Sequence, residues 1–104
     1  MEQSSKTLTF VVPAYNMETY LERCVESLLS ATDNSDIEVL IVDDGSSDST
    51  PELADMYERR WPGNVRAIHQ VNKGHGGAVN TGIANATGMY VKVVDADDWV
   101  DMPS

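Results

Sequence analysis

Four short apolar runs, at residues 8–12, 37–42, 65–71 and 89–94, are separated by segments long enough for a helix and far too long for a hairpin. Strands joined this way run parallel through crossover helices, since an antiparallel neighbour needs only a tight turn. The order βαβαβαβ therefore predicts an α/β domain, a three-layer α/β/α sandwich around a mostly parallel sheet in order 3-2-1-4 with helices on both faces. A length of 104 residues suits one such domain with a single core.

The first run is expected to stop at Pro13, which cannot donate to a ladder. Asn16 reads as the N-cap of a first helix, with Glu18 in its first turn. Leu21, Cys24, Val25, Leu28 and Leu29 then fall at i, i+3, i+4, i+7 and i+8, one apolar stripe, while Glu22, Arg23 and Glu26 face water. The second run is almost unbroken in its apolar character, which suits a central parallel strand. Thr50 as N-cap with Pro51 at the first helical position opens a second helix that turns Leu53, Ala54, Tyr57 and Trp61 inward, until Pro62 and Gly63 stop it. A third helix is expected over 78–86, with Val79, Gly82, Ile83 and Ala86 on one face. Gly88 then resets the chain into the last run, read as a buried strand that delivers Asp95, Asp97 and Asp98 to its carboxyl end.

A formal net charge of -10 argues against a nucleic-acid backbone or an anionic membrane surface as direct partner, because the long-range field repels both. An anionic substrate would need a metal or a cluster of donors. The lone cysteine, Cys24, cannot form an internal disulfide, and no apolar run approaches the roughly 18 residues of a spanning helix. These features predict a cytoplasmic chain without a membrane span.

In open α/β sheets ligands bind outside the carboxyl ends of the strands. Four loops are expected there: Pro13-Ala14-Tyr15-Asn16, Asp43-Asp44-Gly45-Ser46, Asn72-Lys73-Gly74 and Asp95-Ala96-Asp97-Asp98. Each alone reads equally well as a solvated turn. Together they supply an aromatic face for a base, carboxylates for base N–H groups or ribose hydroxyls, a glycine-rich approach to backbone, and hard oxygen ligands for a cation on phosphates. That is the chemistry of a nucleoside-diphosphate pocket. Three carboxylates within four residues repel one another unless a cation or donors compensate, which favours a bound metal or ligand at Asp95 to Asp98 over a solvated turn. Lys73 reads as a phosphate contact or a solvated charge. His75 has no carboxylate in its own segment to orient it, and is expected to be structural or solvent-facing.

Two other readings share parts of this pattern. Gly74 to Gly77 approaches the dinucleotide fingerprint of an oxidoreductase, but the third glycine would fall at Val79. The Asp43-Asp44 pair resembles the magnesium-binding acids of a receiver-type signalling module, yet it follows the second strand rather than the first.

The segments 10–16, 40–50, 72–82 and 95–98, in this order and spacing, resemble the N-terminal half of the family-two inverting glycosyltransferases of GT-A fold. The resemblance covers nearly the whole chain. It implies transfer of a sugar from a nucleoside diphosphate donor, usually a UDP-sugar, to a carbohydrate or lipid-linked acceptor in polysaccharide biosynthesis, with inversion at the anomeric carbon. It places Tyr15 and the Pro13-Ala14 backbone beside the base, Asp44 on the uracil or ribose, and Asp95 near the ribose. Asp97, the second acid of the family's D-x-D motif, would hold Mn2+ or Mg2+, and Asp98 leaves the direct ligand open by one position. The family's catalytic base lies well downstream of D-x-D, so it is expected beyond Ser104, and these residues read as a donor-binding half. The full-length protein would be cytoplasmic or peripheral to the membrane. An unpaired edge at the last strand, blunted only by Lys92, predicts a homodimer or oligomer through that edge.

Overall fold

Each apolar run forms a strand and each intervening segment a helix. A computed structural model describes residues 7–31 and 36–95. In chain order the elements are β1 (Leu8–Ala14), α1 (Glu18–Ala31), β2 (Ile37–Asp44), α2 (Thr50–Arg60), β3 (Val65–Gln70), α3 (Gly74–Asn85) and β4 (Tyr90–Val93). The sheet runs β3-β2-β1-β4 with every neighbouring pair parallel, as the alternation predicts.

Alternation of side chains along the central strands divides the core in two. Phe10, Val12 and Ala14 of β1 and Ile37, Val39 and Ile41 of β2 pack under α1 and α2, with the stripe Leu21, Cys24, Val25, Leu28 and Leu29 buried as expected. Truncating one such leucine to alanine removes about 2–5 kcal/mol. On the opposite face Val11 and Val42 meet Ala78 of α3. This layer is thin because Gly82, also buried, brings α3 directly against Val11. The chain steps one way from β1 to β3, then reverses across the sheet to β4. Crossovers of one hand put α3 on the other face after that reversal, and they leave a crevice between the carboxyl ends of β1 and β4.

A buried carboxylate ties the entry of β4 to the sheet centre. Glu38 of β2, only 5% exposed, accepts from Thr9 Oγ1 (2.9 Å), the Thr87 backbone N–H (3.1 Å) and Thr87 Oγ1 (3.0 Å). Arg66 Nε lies 3.1 Å from the same carboxylate as an ion pair without hydrogen-bond alignment, while Arg66 Nη2 donates to the Asn85 carbonyl. Gly88 then donates to Thr9 Oγ1, so close that a Cβ there would lie 2.7 Å from the Thr9 nitrogen.

Several local expectations need correction. β1 continues through Pro13 to Ala14, because its pairing with β4 ends at Val11 and Val93, before the missing proline N–H is needed on that side. β4 is exposed rather than buried, with Tyr90 65% accessible, since it takes the outer position beside β1. α3 begins at Gly74, not near Ala78, and it buries Ala78 and Gly82 while Ile83 is exposed. Glycines here oppose helix by about 1 kcal/mol each, but contact wins over propensity: a Cβ at Gly77 would meet the Lys73 side chain at 2.5 Å.

Neither Asn16 nor Thr50 is an N-cap. α1 starts at Glu18, and its first N–H groups are satisfied from the neighbouring loop, Met17 N donating to Thr50 Oγ1 (2.8 Å) and Glu18 N to Asp48 Oδ2 (3.3 Å). α2 is preceded by Ser49, whose side chain makes no cap bond, and Asp48 Oδ1 accepts from the Thr50 N–H instead.

Candidate functional site

A cavity of about 370 Å³ opens at the carboxyl edge of the sheet, in the crevice left by the reversal of strand order. Pro13, Ala14 and Tyr15 form its β1 wall, Asp44 closes it from β2, and Asp95 reaches it one residue after the buried Val94. The start of α3 supplies Gly74, His75 and Ala78. Six of the residues expected at a nucleotide site therefore converge on one cavity. Lys73 does not line it, and acts instead through its backbone. Asp97, Asp98 and the rest of the segment after Asp95 lie outside the described residues.

The pair Asp43-Asp44 splits across the sheet, because adjacent residues of a strand point to opposite faces. Asp44, 3% exposed, turns to the α3 side, where its Oδ1 accepts from Gln70 Nε2 (2.9 Å) and the Lys73 N–H (2.8 Å). It thus satisfies donors at the start of α3 that have no partner within the helix. Burial alone would raise its carboxyl, but the Gln70 side chain, the backbone N–H groups of Lys73 and Gly74, and the Lys73 charge together hold it below the usual aspartate value. An ionised acceptor therefore faces the cavity. Gly45 (φ +77) makes the turn behind it, and a Cβ there would lie 2.8 Å from the Asn72 nitrogen. Asn72 Nδ2 donates to the Asp44 carbonyl and closes the two loops together.

Asp43 faces the α2 side. Its Oδ1 accepts the Ser46 N–H, its Oδ2 lies 2.8 Å from His69 Nδ1, and His69 Nε2 is 2.8 Å from Asp55 Oδ1. Its hydrogen bonds to Asp43 and then Asp55 raise His69 above the ordinary histidine value. With the two acids on opposite faces, a receiver-type metal site formed by both does not exist.

His75 is solvent-facing, as its own segment suggests, but it gains a carboxylate partner from elsewhere in the chain. Its Nε2 lies 2.6 Å from Asp95 Oδ1, so a carboxylate does orient it, from the end of β4 twenty residues on. The signal was topological: a 3-2-1-4 sheet brings the residue after β4 beside the start of α3. Cys24 carries no chemistry, since burial, with the Asp95 charge second, pushes its thiol up to about 12.

Among the described residues no three His, Cys, Asp or Glu side chains converge as a metal site. Asp97 and Asp98 follow the cavity-lining Asp95 by two and three positions in the sequence. Hard oxygen donors of this kind fit Mn2+ or Mg2+.

The sequence profile of Glycosyl transferase family 2 matches residues 9–103, almost the entire chain. The chain belongs to that family. The uncharacterized glycosyltransferase EpsJ of Bacillus subtilis (strain 168) is 45% identical over 93 residues, covering 89% of this chain and 26% of the relative. Chondroitin synthase of Escherichia coli is 42% identical over 94 residues, 90% of this chain and 13% of that protein. The crystal structure of Staphylococcus aureus TarS 1-349 in complex with UDP matches with a TM-score of 0.79 at 30% identity, over 88% of this chain and 27% of that one. The mannosyltransferase PcManGT of Pyrobaculum calidifontis, in complex with GDP-Man and Mn2+, matches at 0.78 and 28% identity, over 90% and 28%. The fold is thus the GT-A glycosyltransferase arrangement, and this family-two chain spans about a quarter of the length of EpsJ and TarS 1-349. No described helix is long and apolar enough to cross a membrane.

Proposed function

We propose that this family-two chain binds the nucleoside diphosphate of a sugar donor, UDP before other nucleotides, for inverting transfer to a carbohydrate or lipid-linked hydroxyl. The observation that carries the reading is the convergence of Tyr15, Asp44 and Asp95 on one cavity at the switch point of the sheet. Tyr15, 47% exposed, offers its ring to a base beside the Pro13-Ala14 backbone. Asp44 is ionised and rigidly held, suited to accept from a base N–H or a ribose hydroxyl. Asp95, steadied by His75, accepts from the ribose. Gly74 at φ +83 lets the backbone come close to the diphosphate, and the exposed Lys73 adds a positive charge beside the same opening.

Asp97, with Asp98 beside it, would hold Mn2+ or Mg2+ on the diphosphate. That cation, when bound, neutralises charge building on the departing group. The acceptor proton passes to a carboxylate that the family pattern puts outside these residues. TarS with UDP and PcManGT with GDP-Man and Mn2+ support the donor class and the metal. A net charge of -10 and a single buried cysteine support a cytoplasmic setting in which the cation is needed to hold an anionic donor.

Titration calorimetry with UDP, GDP and NAD, each with and without Mn2+, tests this reading. UDP heat that requires Mn2+ and disappears in Asp97→Ala is expected. Binding of NAD without metal, or of no nucleotide at all, would overturn it.

A further inference from the structure

We infer that Asn16 is a positioning residue for the donor base, a brace that fixes the Tyr15 wall of the cavity relative to Asp44. The inference rests on the donor-site reading above and adds a residue that lines no part of the cavity.

Tyr15 and Asp44 come from different strands. Pairing of β1 with β2 holds them in register only as far as Ala14 and Asp43; beyond that Asp44 is paired only with Gln70 of β3, and both segments run on into loops with exposed residues. Apart from Met17, which packs partly against the core, the residues of those loops are polar or exposed, so much of their spacing falls to hydrogen bonds. Asn16 supplies three of them. Its backbone N–H donates to Ser46 Oγ (2.9 Å), and its Oδ1 accepts from the Ser47 N–H (2.8 Å) and, more weakly, from Ser47 Oγ (3.4 Å). Glu18 extends the seam, donating its N–H to Asp48 and accepting the Ser49 N–H at 2.7 Å.

The backbone of Asn16 singles it out within this seam. It has φ +52, the only non-glycine residue at positive φ among those described, and it directly follows Tyr15. A side chain held in the left-handed region persists only where the surroundings over-determine it, and such residues cluster at ligand clamps. Asparagine meets both demands of the position. It tolerates the left-handed backbone that aims Tyr15 over the cavity, and it carries the acceptor that locks this turn to the loop after Asp44. Glycine would meet only the first demand. Aspartate meets both.

That difference makes the proposal testable against a merely structural role. UDP affinity in the presence of Mn2+ would be read for the unmodified chain, Asn16→Gly, Asn16→Asp, Tyr15→Ala and the double variant Asn16→Gly with Tyr15→Ala. Asn16→Gly should bind UDP about tenfold more weakly, the net worth of one or two hydrogen bonds. Asn16→Asp should stay within about threefold of the original affinity on the same scale. Because Asn16 acts through Tyr15, Asn16→Gly should cost less than about twofold once Tyr15 is alanine. Unchanged affinity in Asn16→Gly, or a full tenfold loss that persists without the Tyr15 ring, would overturn the proposal. Amide hydrogen exchange without ligand separates this failure from failure of the donor-site reading. The Ser47 amide should be protected in the unmodified chain and in Asn16→Asp but not in Asn16→Gly; equal exchange in all three sinks the brace. Protection as expected, with no UDP binding by the unmodified chain, would keep the hydrogen-bonded seam but remove its role in base recognition.

Discussion

Gly82→Ala tests the packing on which the site depends. A Cβ at Gly82 would fall well inside contact distance of Val11 Cγ1 and 3.0 Å from Val11 Cγ2. Val11 is fully buried, β-branched, and fixed by ladders to β2 on one side and β4 on the other, so it has little freedom to yield. Overpacking of this kind costs about 1–3 kcal/mol, with the upper end expected at a rigid central strand. Replacing an interior helical glycine by alanine returns about 1 kcal/mol through propensity. The net loss is therefore about 2 kcal/mol, or roughly 8 °C in melting temperature for a domain of this size. Thermal unfolding followed by circular dichroism measures it, with Gly76→Ala as the control. A Cβ at Gly76 meets nothing within 4 Å, so propensity alone should leave that variant as stable as the original or slightly more so. If Gly82→Ala melts no lower than Gly76→Ala, α3 does not rest on Val11 as described. Displacing α3 would also move Gly74 and His75, so UDP affinity should fall in Gly82→Ala while the fold persists.

His69 should contribute pH-dependent stability. Its folded-state value is raised by Asp43 and Asp55, so the contribution is fully present below the ordinary histidine value and is lost as pH rises through the raised one. Its exposure keeps the effect to about 1 kcal/mol or less, and the melting-temperature gap between the unmodified chain and His69→Gln should shrink from about pH 6 to about pH 9; a gap that grows with pH would contradict the bridge. We propose, separately, that the exposed edge of β4 pairs with a second copy, because Tyr90, Val91 and Val93 are accessible there and Lys92 is the only charge on the strand. Light scattering should show association that rises with concentration, and a strict monomer throughout would refute it.

The parts of this molecule written in periodicity were legible in the sequence. The apolar stripe of α1, the parallel order of four strands and the gathering of Tyr15, Asp44 and Asp95 at one edge follow from local pattern and from the rules that connect strands. What the sequence did not disclose depends on partners far along the chain. Asn16 and Thr50 have the chemistry of N-caps, yet each serves the neighbouring loop, because the β1–α1 and β2–α2 turns lie side by side only once the strands pair. His75 looked unoriented because its carboxylate sits beyond α3 and β4. Glu38 interrupts an apolar run and would be costly there alone, but Thr9, Thr87 and Arg66 reach it from three separate segments. The start of α3 was hidden by its glycines, whose weak propensity is overcome when Asp44 accepts from the helix N-terminus.

The central claim is that one nucleotide pocket joins the ends of β1, β2 and β4 to the start of α3. Two-dimensional amide spectra of the chain titrated with UDP and Mg2+ address it most directly, since they report every backbone position at once. Shifts should concentrate at Tyr15, Asp44, Gly45, Gly74, His75 and Asp95, with Glu58 to Arg60 of α2 unmoved. Shifts centred on α1 and α2, or no shifts at saturating UDP, would contradict it.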